Sequence, residues 1–173
     1  NYFINKNYRI KFFVFNKSKG SFYDYSDKIE IIYLNKINHT TNFINKIYSN
    51  LLKIFLLKKI FNEHDCDFCI SMLSQTNVIV SIANLISKKN KLILCERNDP
   101  FKQKFNIFWN LLIKFSYKYC TYICVNSPNA YEYFKKYFED KKIKYVINYV
   151  HPKNKINISD ENKTIIAVGR INI

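Results

Sequence analysis

The chain has 173 residues, enough to bury the core of one α/β domain, and a formal net charge of +15 that attracts polyanions and anionic membranes. All but three of its 28 basic residues are Lys, scattered over the whole length, which argues against a concentrated nucleic-acid-binding stripe. Its five cysteines, an odd number set in apolar runs, argue for reduced, buried thiols of a cytosolic protein and against a disulfide framework.

In chain order, residues 8–15 and 28–34 read as strands rich in aromatic and β-branched residues, joined by a polar stretch containing Gly20 and Ser21. Residues 50–61 read as a helix with Leu52, Phe55, Leu56 and Lys59 along one flank. Residues 65–72 form a strand and 74–77 a polar turn. Thr76 is placed to cap a helix over 77–87, whose apolar positions include Val78, Ile82 and Leu85. Residues 68–87 carry no charge, but polar residues near the middle fit a strand, loop and helix better than a membrane span. Leu92, Ile93, Leu94 and Cys95 make a continuous apolar strand, followed by Glu96, Arg97, Asn98 and Asp99, and Pro100 stops it.

A helix over 104–119 follows, with Phe105, Phe108, Leu112 and Phe115 three or four apart, then a strand over 121–125. Ser127 and Pro128 open a helix running to Phe138, as N-cap and first-turn residues. Residues 144–147 form a short strand ending at Asn148, 153–163 a polar linker, and 164–168 a last apolar strand before Gly169 and Arg170. The alternation predicts an α/β fold, a Rossmann-like parallel sheet with helices on both faces. The expected layout is a domain over 1–152, a linker over 153–163, and the first strand of a second domain over 164–173, so that the chain reads as a fragment.

Polar residues gather at four strand ends: 71–77, 96–99, 126–127 and 148. In a parallel sheet these carboxyl ends share one edge and can line a single crevice. No G-x-G-x-x-G follows the first strand and no G-x-x-x-x-G-K-[ST] occurs, so a dinucleotide or P-loop site lacks its phosphate cradle. His39, His64 and His151 lack metal spacing, and His39 and His64 are expected to face solvent. Cys66-x-x-Cys69 and Cys120-x-x-x-Cys124 fit core positions better than zinc half-sites, because no turn glycine makes a knuckle.

The segments SMLSQTNV (71–78), LILCERNDP (92–100), ICVNS (123–127), YVINYV (145–150) and IIAVGRI (165–171), in that order, resemble glycosyltransferase family 4. Within it they are similar to the branch that builds bacterial polysaccharides and lipid-linked oligosaccharides. The resemblance implies the N-terminal, acceptor-binding half of a two-domain glycosyltransferase B-type fold. It further implies a nucleotide-sugar donor, retention of anomeric configuration, no metal or other cofactor, and a glycan or lipid-linked acceptor. Arg170, with Gly169, matches the arginine that contacts the donor pyrophosphate. Glu96, Arg97 and Asn98 fall in the turn bordering sugar and acceptor, Thr76 and Asn77 in the preceding cleft segment, and Ser127 and Asn148 match cleft positions.

The family's first strand and glycine-rich acceptor loop are missing before Asn1, as are the lysine shortly after the G-R motif and the distal E-x7-E segment. The resemblance therefore implies a chain inactive as a transferase by itself. The implied location is the cytoplasm, at the inner face of the membrane, with peripheral contact to anionic lipid through the helices near Lys53–Lys59 and Lys102–Lys118. Two other readings compete: a non-catalytic remnant of such an enzyme, and, disfavoured by scattered Lys and scarce Arg, a nucleic-acid binder.

Overall fold

The computed structural model describes residues 2–15, 26–34, 43–87, 90–103 and 105–148. Its elements are α1 (Tyr2–Asn5), β1 (Ile10–Val14), β2 (Ile29–Tyr33), α2 (Phe43–Glu63), β3 (Phe68–Met72), α3 (Ser74–Ser87), β4 (Lys91–Glu96), α4 (Ile107–Tyr117), β5 (Tyr122–Val125), α5 (Pro128–Lys135), a 3-10 turn (Asp140–Lys142) and β6 (Ile143–Tyr145). The protein is α/β, with parallel strands flanked by helices. The strands fall into two sheets, a β1-β2 pair and a four-stranded sheet of order β3-β4-β5-β6, parallel throughout.

The order of the larger sheet decides where its helices lie. Its strands step across the sheet in one direction, so right-handed crossovers carry α3, α4 and α5 to the same face. The register puts Ser71, Leu94 and Ile123 in line on that face, and Leu92, Leu94, Ile123, Val125 and Ile143 are buried there. Val78, Ile79, Val80 and Ala83 of α3, Ile113 and Tyr117 of α4, and Ala130 and Phe134 of α5 complete the same core. Tyr117 stacks on Phe134 at 5.9 Å between ring centres. On the opposite face Phe68, Ile70 and Met72 of β3 stand half exposed.

Helix faces depart from the sequence expectation in two places. In α2 the buried residues are Leu57, Ile60 and Phe61, whereas Leu52, Phe55 and Lys59 face outward. In α4 the inward residues are Ile113, Ser116 and Tyr117, and Phe108 and Phe115 are exposed. Both helices are apolar around most of their circumference, so spacing alone left several faces open to choice. Helix α3 starts at Ser74, three residues earlier than expected, which leaves Thr76 inside its first turn rather than capping it.

Helix α4 spans less than 104–119 because Asn106 caps it, its side chain accepting from the Trp109 N–H at 2.9 Å. His64 is half buried with its ring 5.9 Å from that of Phe13, so it does not simply face solvent. Cys66 is exposed, unlike the buried Cys95 and Cys120, because it precedes the strand expected to enclose it. The calls on Gly20, His39, His151, the linker, the last strand, Gly169 and Arg170 lie outside the described residues.

Candidate functional site

Glu96 is the last residue of β4, and its register places it on the helix-covered side of the sheet. Its carboxyl group therefore enters the core, and the residue is 3% exposed. Ser74 donates its hydroxyl to Oε2 at 2.7 Å, Asn77 donates Nδ2 to Oε1 at 2.9 Å, and the Tyr117 hydroxyl also donates to Oε1. The Asn77 amide is shared with the Cys95 carbonyl at 3.1 Å. Ser74 Oγ also lies 3.2 Å from the Gln103 side-chain oxygen, tying in the loop after β4.

Three neutral donors from two helices thus hold one buried carboxylate, the arrangement that makes burying a charge tolerable. Burial raises the Tyr117 hydroxyl well above its ordinary value, and the negative charge of Glu96 adds to that. Tyr117 therefore stays a donor to the carboxylate. Beside this cluster, lined by Ser74, Glu96, Gln103 and Asn110, is a cavity of about 20 Å³, room for a single water. A sugar ring does not fit there. Within the described structure Glu96 braces the site rather than reaching an open cleft.

The solvent side of the same sheet edge carries Arg97. Its Nη1 donates to Asn148 Oδ1 at 2.5 Å, and Asn126 Nδ2 donates to the Arg97 carbonyl at 3.4 Å. The carboxyl ends of β4, β5 and β6 are brought together there, as expected of a parallel sheet. Asn98 is exposed on the turn, whose Asp99 side chain accepts from the Phe101 N–H at 2.9 Å. Ser127 caps α5, accepting from the Ala130 N–H at 3.2 Å, so its hydroxyl is held by the helix end. Thr76 is half buried in α3 and is not among the groups bonded to Glu96.

Under Arg97 lies a pair of thiols in register, Cys95 and Cys124. The hydrogen bond from Cys95, reinforced by the Arg97 and Lys144 cations, draws the Cys124 thiol down to about 7. Cys95 is pushed up by the same bond and by burial. Sequence reasoning had not paired these thiols, nor found Tyr117 or Gln103 beside Glu96. For Tyr117 a signal existed: it lies one turn after Ile113, on the inward face, with a polar head that must find a partner when buried.

The structure brings together Glu96 and Asn77 in one buried network and Arg97 and Asn148 in one exposed cluster. Among the described residues, no group of three or more His, Cys, Asp or Glu is arranged to hold a metal ion. No helix among them is long and apolar enough to cross a membrane.

No family model matches the chain. A curated protein of Campylobacter jejuni, named GalNAc-alpha-(1->4)-GalNAc-alpha-(1->3)-diNAcBac-PP-undecaprenol alpha-1,4-N-acetyl-D-galactosaminyltransferase, is 28% identical to it over 154 residues. The match takes in 87% of this chain, which spans 42% of the relative's length. The match supports a relationship to glycosyltransferases.

Proposed function

We propose that this chain is the acceptor-side half of a family 4 glycosyltransferase, which moves a sugar from a nucleotide-sugar to a lipid-linked glycan with retention of configuration. The observation that carries the reading is the match along most of the chain to a transferase whose named acceptor is a pyrophosphate-linked polyprenol. The strand-end cluster suits that chemistry. Departure of a nucleoside diphosphate places negative charge at the cleft, and a preorganised guanidinium next to fixed amides stabilises such charge.

In this reading Arg97, oriented by Asn148, faces the reacting groups, and the Glu96 network holds the end of β4 rigid beneath it. Gly169 and Arg170 would contact the donor pyrophosphate, and no metal is needed. The test is transfer by the full-length protein from a panel of radiolabelled nucleotide-sugars to undecaprenyl-pyrophosphate oligosaccharide, with and without chelator. We expect chelator-resistant transfer that Arg97→Ala lowers by about a hundredfold in kcat/KM. No transfer from any donor, or transfer indifferent to Arg97, would overturn the reading.

A further inference from the structure

Two thiols lie beneath Arg97 and take no part in the proposed transfer. The register lines up Met72, Cys95, Cys124 and Lys144 as one row across β3, β4, β5 and β6. Leu94 and Ile123, the residues just before the two cysteines, face the helices, so alternation points both thiols to the opposite face. Neighbouring strands run about 4.8 Å apart, within the Cα separation that a disulfide spans. Parallel neighbours keep their Cβ atoms nearly as far apart, which is wider than a relaxed disulfide prefers. A bond closed there is strained, and a strained disulfide is readily reduced again.

The two sulfurs are unequal. Cys95 is buried and Cys124 half-buried. Cys95 donates a hydrogen bond to Cys124, and Arg97 after β4 and Lys144 of β6 bring positive charge to the same sulfur. Together they draw the Cys124 thiol down to about 7, so much of it is thiolate near neutral pH. Glu96, the neighbouring carboxylate, points the other way, into the helix-covered core. The remaining cysteines lack this setting. Cys66 is exposed, but desolvation and the carboxylates of Asp67 and Asp65 raise its thiol. Burial pushes Cys69 up to about 12 and Cys120 up to about 11. An accessible thiolate with a second thiol beside it suits reversible oxidation.

We infer that Cys124 and Cys95 form a peroxide-sensitive pair, in which hydrogen peroxide oxidises Cys124 and Cys95 then closes a disulfide between β4 and β5. The Cys124 thiolate attacks one peroxide oxygen, the O–O bond breaks, and hydroxide leaves, giving a sulfenic acid. The Cys95 sulfur then attacks the Cys124 sulfur, the S–O bond breaks, and water departs with the Cys95 proton. The two thiols thereby supply the two electrons that reduce the peroxide. The hydrogen bond to Cys124 is the largest cause pushing Cys95 up, so consuming the thiolate frees Cys95 for this second step. The closed bond lies two residues before Arg97 on one strand and two before Asn126 on the next, so it disturbs the guanidinium held by Asn148. Only the effect of that disturbance on transfer rests on the transferase reading.

The test is hydrogen peroxide titrated against the full protein without substrates, then blocking of free thiols and tryptic mapping under non-reducing conditions. A cross-linked peptide pair carrying Cys95 and Cys124 is expected, and dithiothreitol should restore both free thiols. In Cys95→Ser, which keeps a hydrogen-bond donor beside Cys124, the cross-link should vanish and dimedone should trap a sulfenic acid at Cys124. Cys124→Ser should leave Cys95 unoxidised at the same dose. No oxidation at Cys124, oxidation of Cys66 ahead of it, or a disulfide to any cysteine other than Cys95 would overturn the inference. In transfer assays the closed form should lose at least about tenfold in kcat/KM and recover with reductant. Transfer unchanged by a complete cross-link would overturn the effect on Arg97. Absence of transfer from the reduced protein, with the cross-link still forming, would instead mark failure of the transferase reading.

Discussion

At the scale of single residues, the decisive group is Glu96, a carboxylate whose three donors come from Ser74, Asn77 and Tyr117. Removing one donor while the charge stays buried costs more than the bond itself, because the carboxylate is left short of a partner in the core. Tyr117→Phe should therefore lower unfolding free energy by about 1.5–3 kcal/mol in urea melts, with little change in the surface exposed on unfolding. An unchanged midpoint would show that Tyr117 does not support the carboxylate. Cys124 gives the pH-dependent counterpart. Its thiol is drawn down to about 7, so the thiolate contributes stability above the ordinary value, and this is lost as pH falls through about 7. Timed iodoacetamide labelling near neutral pH should modify Cys124 before the buried Cys95 and Cys120. In Cys95→Ala, which removes the donor, its labelling should shift to higher pH if the Cys95 hydrogen bond is the cause.

At the scale of elements, the turn from β3 into α3 positions Ser74 and Asn77. Leu73 makes that turn with φ of 76°, its N–H donating to the Cys95 carbonyl at 3.3 Å and its carbonyl accepting from the Asn77 N–H at 2.8 Å. Left-handed backbone costs a residue with a Cβ about 1–2 kcal/mol, and the Leu73 side chain is largely exposed, so little burial repays it. Leu73→Gly should raise stability by about 0.5–1 kcal/mol after the greater freedom of unfolded glycine is deducted. A destabilised Leu73→Gly would mean that the leucine side chain makes contacts worth more than the strain. The helix start was misread for the same reason: a left-handed leucine carries no capping signal, whereas Ser127 and Asn106 are ordinary caps.

At the scale of the whole molecule, the four-stranded sheet has its helices on one face and Phe68, Ile70 and Met72 half exposed on the other. Among the described residues β3 pairs only with β4, so an apolar strand stands at the sheet edge. Such edges template association, and a lysine on the exposed side opposes it. Ile70→Lys should lower concentration-dependent light scattering while leaving the unfolding free energy within about 0.5 kcal/mol of wild type. A large loss of stability instead would show that this face is covered in solution. Among the described residues, the same one-sided arrangement leaves Phe108, Leu111 and Phe115 of α4 exposed.

The parallel α/β alternation was legible in the sequence because buried strands such as Leu92–Cys95 read as continuous apolar runs bounded by polar turns. The gathering of Glu96, Arg97, Asn126 and Asn148 at one edge was equally legible, since parallel strands must end on the same side. Which way those residues point was not. Glu96 and Arg97 are neighbours in the chain, yet pleating sends one carboxylate into the core and the next guanidinium into solvent. Nor could spacing choose the inward face of α2 or α4, where apolar residues surround the helix and only packing against α3 and the sheet selects Ile60 or Tyr117 over Phe55 or Phe115. Local pattern thus determined the elements and their order. Long-range packing decided which side chains brace the site and which remain exposed, because burial is settled between elements that lie far apart in sequence.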